Sequence, residues 1–245
     1  MADDPRATPT VLLLEGPDGT WDELATRIGG LGFHPLRCET IEAAERLLEE
    51  ADAPIRAVLL PAEFADRRLK RALKSLRSVR SERLRIAAVG PEPDAQDRKW
   101  LRAAGVRYGL WEPIDPTTLR FQINRLTAMD EGDAIRASER VPTRLAARAT
   151  AGGRTRDAQV YSLSETGAFL ATPRACMNGA AIEVEIKLPS GAIAAPATVM
   201  FANVPGNLQR PNLPLGMGVR FGQLSTSDAE ALRDYVESQL SHVLV

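Results

Sequence analysis

Residues 10–128 alternate between short apolar runs and amphipathic helical patterns, and this alternation restricts the fold more than any other feature of the chain. The runs at residues 11–14, 57–60 and 86–89 contain no polar side chain, which is typical of strands covered on both faces. The stretches between the runs place apolar residues at helical spacing. The predicted strands are residues 11–14, 33–38, 57–60, 86–89 and 106–111.

Five strands that alternate with five helices predict an α/β fold, because a helix between two strands makes a right-handed crossover to a parallel neighbour. Two helix starts are marked in the sequence: Asp94 and Asp115 are expected to be N-caps, with Pro116 as a first helical residue. In parallel sheets of this kind, functional residues gather at the carboxyl ends of the strands. Those positions are therefore the first candidates for a site.

The pattern changes after a polar, acidic stretch at residues 127–134, which we interpret as a domain boundary. Beyond it, apolar and polar residues alternate in short segments separated by turns such as the Gly-Gly pair at 152–153. The capping-box pattern at residues 227–230 is expected to open a final helix through Leu240. The pattern predicts a small closed antiparallel barrel followed by a helix. The predicted strands are residues 143–149, 158–163, 168–171, 182–188, 197–203 and 216–221.

Composition excludes several classes of function. The net charge of -1 gives no global attraction to nucleic acid or acidic lipid, and aromatic residues make up only 5% of the chain, with none between Arg136 and Arg148. Cys38 and Cys176 fall in different predicted domains, so we expect neither a disulfide nor a metal site. The sequence has no nucleophile–base pattern or phosphate-binding loop, so we do not expect an enzyme. No apolar run is long enough to span a bilayer, so we expect a cytoplasmic protein without direct membrane insertion.

Two short motifs flank the fifth predicted strand: Ala103-Ala-Gly105 precedes it and Glu112-Pro113 follows it. With the alternation of strands and helices, they make residues 10–129 resemble a response-regulator receiver domain. The resemblance implies a flavodoxin-like domain with a five-stranded parallel sheet. Receiver domains hold Mg²⁺ on an acidic pair after the first strand and accept phosphate on an Asp after the third. They also use a Thr or Ser after the fourth strand and a Lys after the fifth.

This sequence departs from the receiver pattern at every one of those positions but one. The matching residues, in chain order, are Glu15, Gly16, Pro61, Gly90 and Glu112. Pro61 stands at the phosphoacceptor position and has no nucleophile, while Glu112 would repel a phosphoryl group. Asp18 and Glu63 are nearby carboxylates, but neither matches the acceptor. We therefore expect a receiver-like domain that is not phosphorylated, has no metal site, and serves in docking or dimerisation.

Four features of the second half occur in a distinctive order. They are Arg136 and Arg140 before Val141-Pro142, the turn Ser162-x-Ser164-x-x-Gly167, the strand Gly216-x-Gly218-Val-x-Phe221, and the final helix. Over residues 135–242 these features resemble the PilZ family, whose barrels bind the bacterial second messenger cyclic di-GMP. The resemblance implies a six-stranded antiparallel β-barrel with a C-terminal helix. A linker at residues 130–134 would join this barrel to the receiver-like domain.

The resemblance also implies a ligand site for cyclic di-GMP made of Arg136, Arg140, Ser162, Ser164 and Gly167. Arginine suits this ligand, because a guanidinium can bind a phosphate in bidentate fashion, pair with the guanine edge and stack on the base. Ser164 can donate to a phosphate or accept from a base edge. Gly167 is expected to have a positive φ and to let the ligand approach the backbone.

Ser162 departs from the PilZ pattern, which has Asp or Asn at this position to accept from guanine. A hydroxyl makes one such contact, and the loss of a charge-assisted hydrogen bond costs about 1.5–3 kcal/mol, or about ten- to a hundredfold in affinity. The site residues also have simpler interpretations. The arginines continue into Arg144 and Arg148 as a solvated basic face would, and serines are common in turns.

Two functions therefore stay open. In the first, the chain is a cyclic di-GMP receptor: the ligand orders the segment from Arg136 to Arg140, moves the barrel against the receiver-like domain, and signals to a protein partner in motility, pili, biofilm or polar regulation. In the second, the chain is a ligand-independent adaptor that acts through protein–protein contacts. Neither function requires a cofactor or nucleic acid. The partner would bind through the receiver-like domain or the barrel surface, and we also consider a homodimer.

Overall fold

The computed structural model describes residues 9–16, 21–51, 55–80, 84–128, 138–208, 210 and 212–245. The chain divides into two compact units: Met1–Ala128 together with His242–Val245, and Met129–Ser241. The predicted linker at residues 130–134 lies outside the described residues. Within the part of the chain that the structure describes, no helix is both long and apolar enough to cross a membrane.

The first unit contains a parallel sheet with helices on both faces. Its strands are β1 (Thr10–Leu14), β2 (His34–Cys38), β3 (Ile55–Pro61), β4 (Arg85–Gly90) and β5 (Tyr108–Trp111). Its helices are α1 (Asp22–Gly30), α2 (Ile41–Glu50), α3 (Leu69–Arg80), α4 (Ala95–Ala103) and α5 (Pro116–Thr127). The strand order is β2-β1-β3-β4-β5, and each neighbouring pair is parallel. The predicted α/β fold with a five-stranded parallel sheet is confirmed.

The apolar runs form strands because both faces of the sheet are covered. Alternate residues of β1 enter two different core layers: Val11 and Leu13 pack with residues of α1 and α5, whereas Leu12 and Leu14 pack with residues of α2, α3 and α4. The two predicted caps are also confirmed, since Asp94 accepts from the backbone amides at the start of α4 and Asp115 from those at the start of α5. A short 3₁₀ turn, Ala62–Phe64, follows β3 and was not indicated by the sequence pattern.

The second unit contains an antiparallel barrel. Its strands are β6 (Val141–Ala151), β7 (Arg154–Ser164), β8 (Gly167–Ala171), β9 (Ala181–Leu188), β10 (Gly191–Val204), β11 (Asn207–Leu208) and β12 (Gly216–Phe221). The order β10-β12-β8-β7-β6-β9 closes on itself through the pairing of β9 with β10. The two-residue β11 pairs with β10 outside this ring. The predicted six-stranded antiparallel barrel is confirmed.

The final helix, α6 (Thr226–Leu240), is also confirmed, but its predicted cap was wrong. The helix begins two residues before the expected position, because the Ser225 hydroxyl accepts from the amide of Asp228 at 3.1 Å. Inside the barrel, β9 alternates as the sequence predicted: Ile182, Val184, Ile186 and Leu188 are buried. The predicted Gly-Gly turn joins β6 to β7, and both Gly152 and Gly153 have positive φ.

Candidate ligand-binding site

The turn between β7 and β8 is tightly closed by its own small polar residues. Ser164 pairs with Gly167 in the strand register, and its hydroxyl donates to the Gly167 carbonyl at 3.1 Å. Ser162 lies two pairs further back, opposite Phe169, next to a register irregularity in β7. Both serines are buried, with exposed fractions of 4% and 1%. Ser164 therefore closes the turn, and its predicted contact with a ligand stays a proposal.

Arg140 lies against this turn although it is distant in sequence. It precedes β6, whose residue Pro142 pairs with Ser162, and its Nη1 donates to the Ser162 hydroxyl at 3.4 Å. Ser138 adds a second contact, since its hydroxyl lies 3.2 Å from the Thr166 hydroxyl. The two sequence motifs thus meet in space. Arg136, the other arginine of the first motif, lies outside the described residues.

Gly167 has a different role from the one expected. Its φ does not lie in the left-handed region, because the residue begins β8 as extended backbone paired with Arg220 of β12. A Cβ at this position would lie 2.3 Å from the Val219 carbonyl oxygen and 3.3 Å from the Arg220 Cα. The prediction of a positive φ was therefore wrong. Glycine is required because the backbone of β12 crosses where a side chain would begin.

Two further arginines flank the turn and were missed in the sequence. Arg220 is exposed on β12, where it is paired with Gly167 of β8. Arg233 of α6 donates to Glu165, at the tip of the turn, at 3.4 Å. Arg220 lies inside the strand motif from Gly216 to Phe221, at a position for which the motif specifies no residue, so the motif gave no signal for it. Together with Arg140, these arginines surround the turn with positive charge, which favours an anionic ligand.

At the carboxyl ends of the parallel strands, the carboxylate of Glu15 is already engaged by a cation. Glu15 follows β1 and is only 4% exposed, and both of its oxygens accept from the guanidinium of Arg37 on β2, one of them at 2.8 Å. Asp22 binds the same guanidinium. These hydrogen bonds, first to Glu15 and then to Asp22, raise the pKa of Arg37 above its ordinary value.

The residues around Glu15 do not fit a magnesium ion. Both carboxylate oxygens of Glu15 already accept from the cation of Arg37, and its neighbour Gly16 supplies no side-chain ligand. Pro61 ends β3 without an acceptor oxygen in its side chain. The described residues contain no group of three or more His, Cys, Asp or Glu side chains that could hold a metal. Asp18, the remaining nearby carboxylate, lies outside the described residues. Arg37 thus supplies the positive charge at this end of the sheet.

The thiol of Cys38 should be nearly inert in the folded protein. Burial, followed by the charge of Glu15, raises its pKa from 9.0 to about 11. At about pH 8 this shift lowers the thiolate fraction about a hundredfold, so we expect iodoacetamide to modify Cys38 about a hundredfold more slowly in the folded chain than in urea. Peptide mass spectrometry of a Cys176→Ser variant measures this directly. Equal rates in both states would contradict the buried position.

The same shift gives a pH dependence of stability. A thiol whose folded pKa is raised favours the folded state below its unfolded pKa of 9.0, and this contribution is lost as pH rises toward about 11. Urea denaturation across that range should show a smaller alkaline loss of stability in Cys38→Ala than in the unmodified chain. An identical loss would assign the effect to other groups.

The comparisons with known proteins agree with this division of the chain. Residues 134–238 match the family model described as PilZ domain. No curated protein matches the chain. The inhibitor of motility MotI/DgrA from Bacillus subtilis is 18% identical with a TM-score of 0.36, and the match covers 42% of this chain and 50% of that chain, so it spans half of MotI.

Two further solved structures each resemble one half. The PilZ domain of YcgR from Escherichia coli, described with c-di-GMP, is 18% identical with a TM-score of 0.34, and the match covers 43% of this chain and 91% of that one. The receiver domain of sensor histidine kinase PA1611 from Pseudomonas aeruginosa, described with a coordinated magnesium ion, is 20% identical with a TM-score of 0.41, covering 49% and 98%. The PilZ resemblance predicted for the second half is confirmed by the family model, and the first half has the five-stranded parallel sheet that the receiver resemblance implied.

Proposed function

We propose that the chain is a cyclic di-GMP effector whose barrel binds the ligand with Arg136, Arg140, Ser162, Ser164 and Gly167. The observation that carries the proposal is the contact between Arg140 and Ser162, which brings the two motifs of a PilZ-type site together across 22 residues of sequence. The match of residues 134–238 to the PilZ family model supports it.

Binding would exchange the contact between Arg140 and Ser162 for a stronger contact with the ligand. The hydrogen bond from Arg140 to Ser162 is long, at 3.4 Å, and joins a charged donor to a neutral acceptor. A phosphate of the ligand accepts two parallel hydrogen bonds from the same guanidinium and carries a full negative charge. As Arg140 turns toward the phosphate, it uncovers the buried hydroxyl of Ser162, which then accepts from the guanine edge.

Titration calorimetry of the full chain with cyclic di-GMP tests this function, with cyclic di-AMP as the control ligand. We expect saturable binding of cyclic di-GMP and little heat from cyclic di-AMP, because the arginine fork matches the O6 and N7 acceptors of guanine rather than the amino group of adenine. No heat at high-micromolar cyclic di-GMP would remove the basis of the proposal.

The substitution Ser162→Asp should strengthen binding about ten- to a hundredfold, because a carboxylate accepts two charge-assisted hydrogen bonds from guanine where the hydroxyl accepts one. Ser162→Asn is the neutral companion and should give a smaller gain. Calorimetry against the unmodified chain measures both. Weaker binding in Ser162→Asp would mean that the new carboxylate pairs with Arg140 and keeps it from the ligand.

In this proposal the receiver-like half is not phosphorylated and serves as a docking domain for a protein partner. Pro61 has no acceptor oxygen at the end of β3, and Arg37 supplies the charge that Mg²⁺ would provide. The intact mass of the chain should stay unchanged after incubation with acetyl phosphate and Mg²⁺. A phosphorylated species mapped to the first unit would overturn this part of the proposal. The protein acts in the cytoplasm, without a cofactor and without catalysing a reaction.

The second candidate function is that of a ligand-independent adaptor. The observation that favours it is the closed state of the turn, in which Ser162 and Ser164 are buried and the Ser164 hydroxyl is already committed to Gly167. An adaptor would bind its partner equally well with and without cyclic di-GMP, and Arg140→Ala would leave its cellular phenotype unchanged. Loss of that phenotype in a folded Arg140→Ala protein would exclude the adaptor.

A further inference from the structure

The outer edge of β5 carries an unexpected strand-like partner. The segment His242–Val245, which we call the return segment, belongs to the first unit although it follows α6 of the second. Leu244 pairs antiparallel with Tyr108, flanked by two backbone hydrogen bonds: Gly109 N to Val243 O at 3.1 Å and Val245 N to Arg107 O at 3.1 Å. Because β5 is the last strand of the sheet, the return segment covers an otherwise open edge.

A buried amide on α5 holds this segment from one side. Gln122 is fully buried, and its Nε2 donates to the carbonyls of Gly109 at 2.8 Å and Val243 at 2.6 Å. One side chain thus binds the edge strand and the added strand together. The buried Nε2 of Gln122 would cost stability if it were not hydrogen-bonded, so its two bonds to main-chain carbonyls point to a site built for an added strand.

Two arginines on α4 hold the segment from the other side. Arg98 Nη1 donates to the Leu244 carbonyl at 3.1 Å, and Arg102 Nε donates to the Val245 carbonyl at 2.7 Å. Arg98 is itself positioned by an ion pair with Glu92 and by the ring of Trp111, 5.6 Å from its guanidinium carbon. Three side chains therefore bind the main-chain oxygens of three consecutive residues, a set of contacts that does not depend on the side chains of the segment.

Sequence preference comes from the alternate side chains. Val243 and Val245 are buried, with exposed fractions of 1% and 6%, and Val245 joins the core layer that contains Trp111. Leu244, between them, is partly exposed. The edge thus buries two apolar side chains two residues apart on an extended segment, which is the pattern of peptide recognition by strand addition.

We propose that the edge of β5, with Gln122, Arg98 and Arg102, is a strand-addition site for an extended Val-x-Val peptide, and that the return segment is its resident occupant. The return segment leaves the site without unfolding the sheet. It makes two backbone hydrogen bonds with β5, whereas β5 is held from its other side by four register pairs with β4. Short edge segments of this kind open locally before the core does.

A peptide-binding experiment tests the site. The full chain lacking residues 242–245 is titrated into a fluorescently labelled peptide of residues 239–245, and anisotropy is measured. We expect saturable binding to the shortened chain and at least about tenfold weaker binding to the unmodified chain, whose site is filled. A peptide with both valines replaced by Asp should not bind. Equal binding to both chains, or none to a shortened chain that is folded by circular dichroism, overturns the proposal.

Hydrogen exchange of the unmodified chain gives an independent measurement that does not require the deletion to fold. The Gly109 amide should exchange through local opening, well before the amides of β1, and Gln122→Met should accelerate it about tenfold or more. Lys99→Ala, on the exposed face of α4, is the matched control and should leave it unchanged. Exchange of Gly109 only together with β1 would show that the segment is a permanent strand. Protection that rises with protein concentration would assign the site to a second copy.

Discussion

The variant Arg140→Ala is expected to bind cyclic di-GMP about a hundredfold more weakly than the unmodified chain. A guanidinium that donates two hydrogen bonds to a phosphate contributes roughly 3 kcal/mol at the upper end of charge-assisted contacts, and about 1.4 kcal/mol corresponds to a tenfold change in affinity. In the ligand-free protein the same guanidinium has a long contact with Ser162, at 3.4 Å. Calorimetry of the folded variant, checked by circular dichroism, measures the effect.

Arg144→Ala is the matched control for this prediction. Arg144 is exposed on β6, four residues further along, and its removal changes the net charge of the chain by the same amount. We expect it to alter affinity far less. Arg140→Lys should fall between the two, since it keeps the charge but loses the planar fork. Equal losses in Arg140→Ala and Arg144→Ala would indicate general attraction by a basic face, the simpler interpretation of these arginines.

The order of the elements could be predicted from the sequence because burial produces local patterns of apolar and polar residues. Strands covered on both faces read as unbroken apolar runs, as at residues 57–60, and the half-buried strand β9 reads as strict alternation. Helix starts are equally local, and Asp94 and Asp115 cap the helices they were expected to cap. A sheet of six short strands would leave two open edges, which are unfavourable, and the sequence therefore predicted a closed barrel.

Contacts between segments that are distant in sequence produce no such local pattern and could not be predicted. Burial of Gln122 and its hydrogen bond to Val243 join residues 121 positions apart, and periodicity states only that a residue faces inward, not which partner it meets. The pair of Glu15 with Arg37 is similar: the sequence showed a carboxylate at the end of β1 but not the cation that engages it. Each contact involves one buried polar group, Gln122 or Glu15, whose partner is decided by tertiary packing.

The ligand site stays a prediction, but its two sequence motifs do lie together, since Arg140 contacts Ser162. The burial of both serines was not expected, because turns are usually exposed and polar residues in them usually face water. A glycine in a turn motif suggested a positive φ. Glycine can also be required because another backbone approaches closely, and this second reason applies to Gly167.

Gly167→Val should destabilise the barrel by about 3 kcal/mol or more. Overpacking usually costs about 1–3 kcal/mol, and here the obstacle is the Val219 carbonyl oxygen, 2.3 Å from the position of a Cβ. No rotamer relieves this overlap, because the Cβ position is set by the backbone itself. The strand pairing between β8 and β12 must separate, and that pairing is part of the closed ring of strands.

The placement of the tryptophans makes this effect separable from the first unit. Trp21, Trp100 and Trp111 are the three tryptophans of the chain, and all belong to the first unit. In urea denaturation we therefore expect Gly167→Val to lower the midpoint followed by far-UV circular dichroism, which includes the barrel, while the midpoint followed by tryptophan fluorescence stays in place. Gly222→Ala is the control, since a Cβ there meets its nearest atom at 3.4 Å, an ordinary contact.

The outcome also decides what this glycine is for. A Gly167→Val protein with both midpoints unchanged but no binding of cyclic di-GMP would show that the position is kept open for the ligand, as the turn motif first suggested. A lowered barrel midpoint, with binding lost only as the barrel unfolds, assigns the glycine to the packing of β8 against β12. The distance of 2.3 Å to a backbone atom favours the second result, because a backbone oxygen held in a closed barrel has nowhere to move.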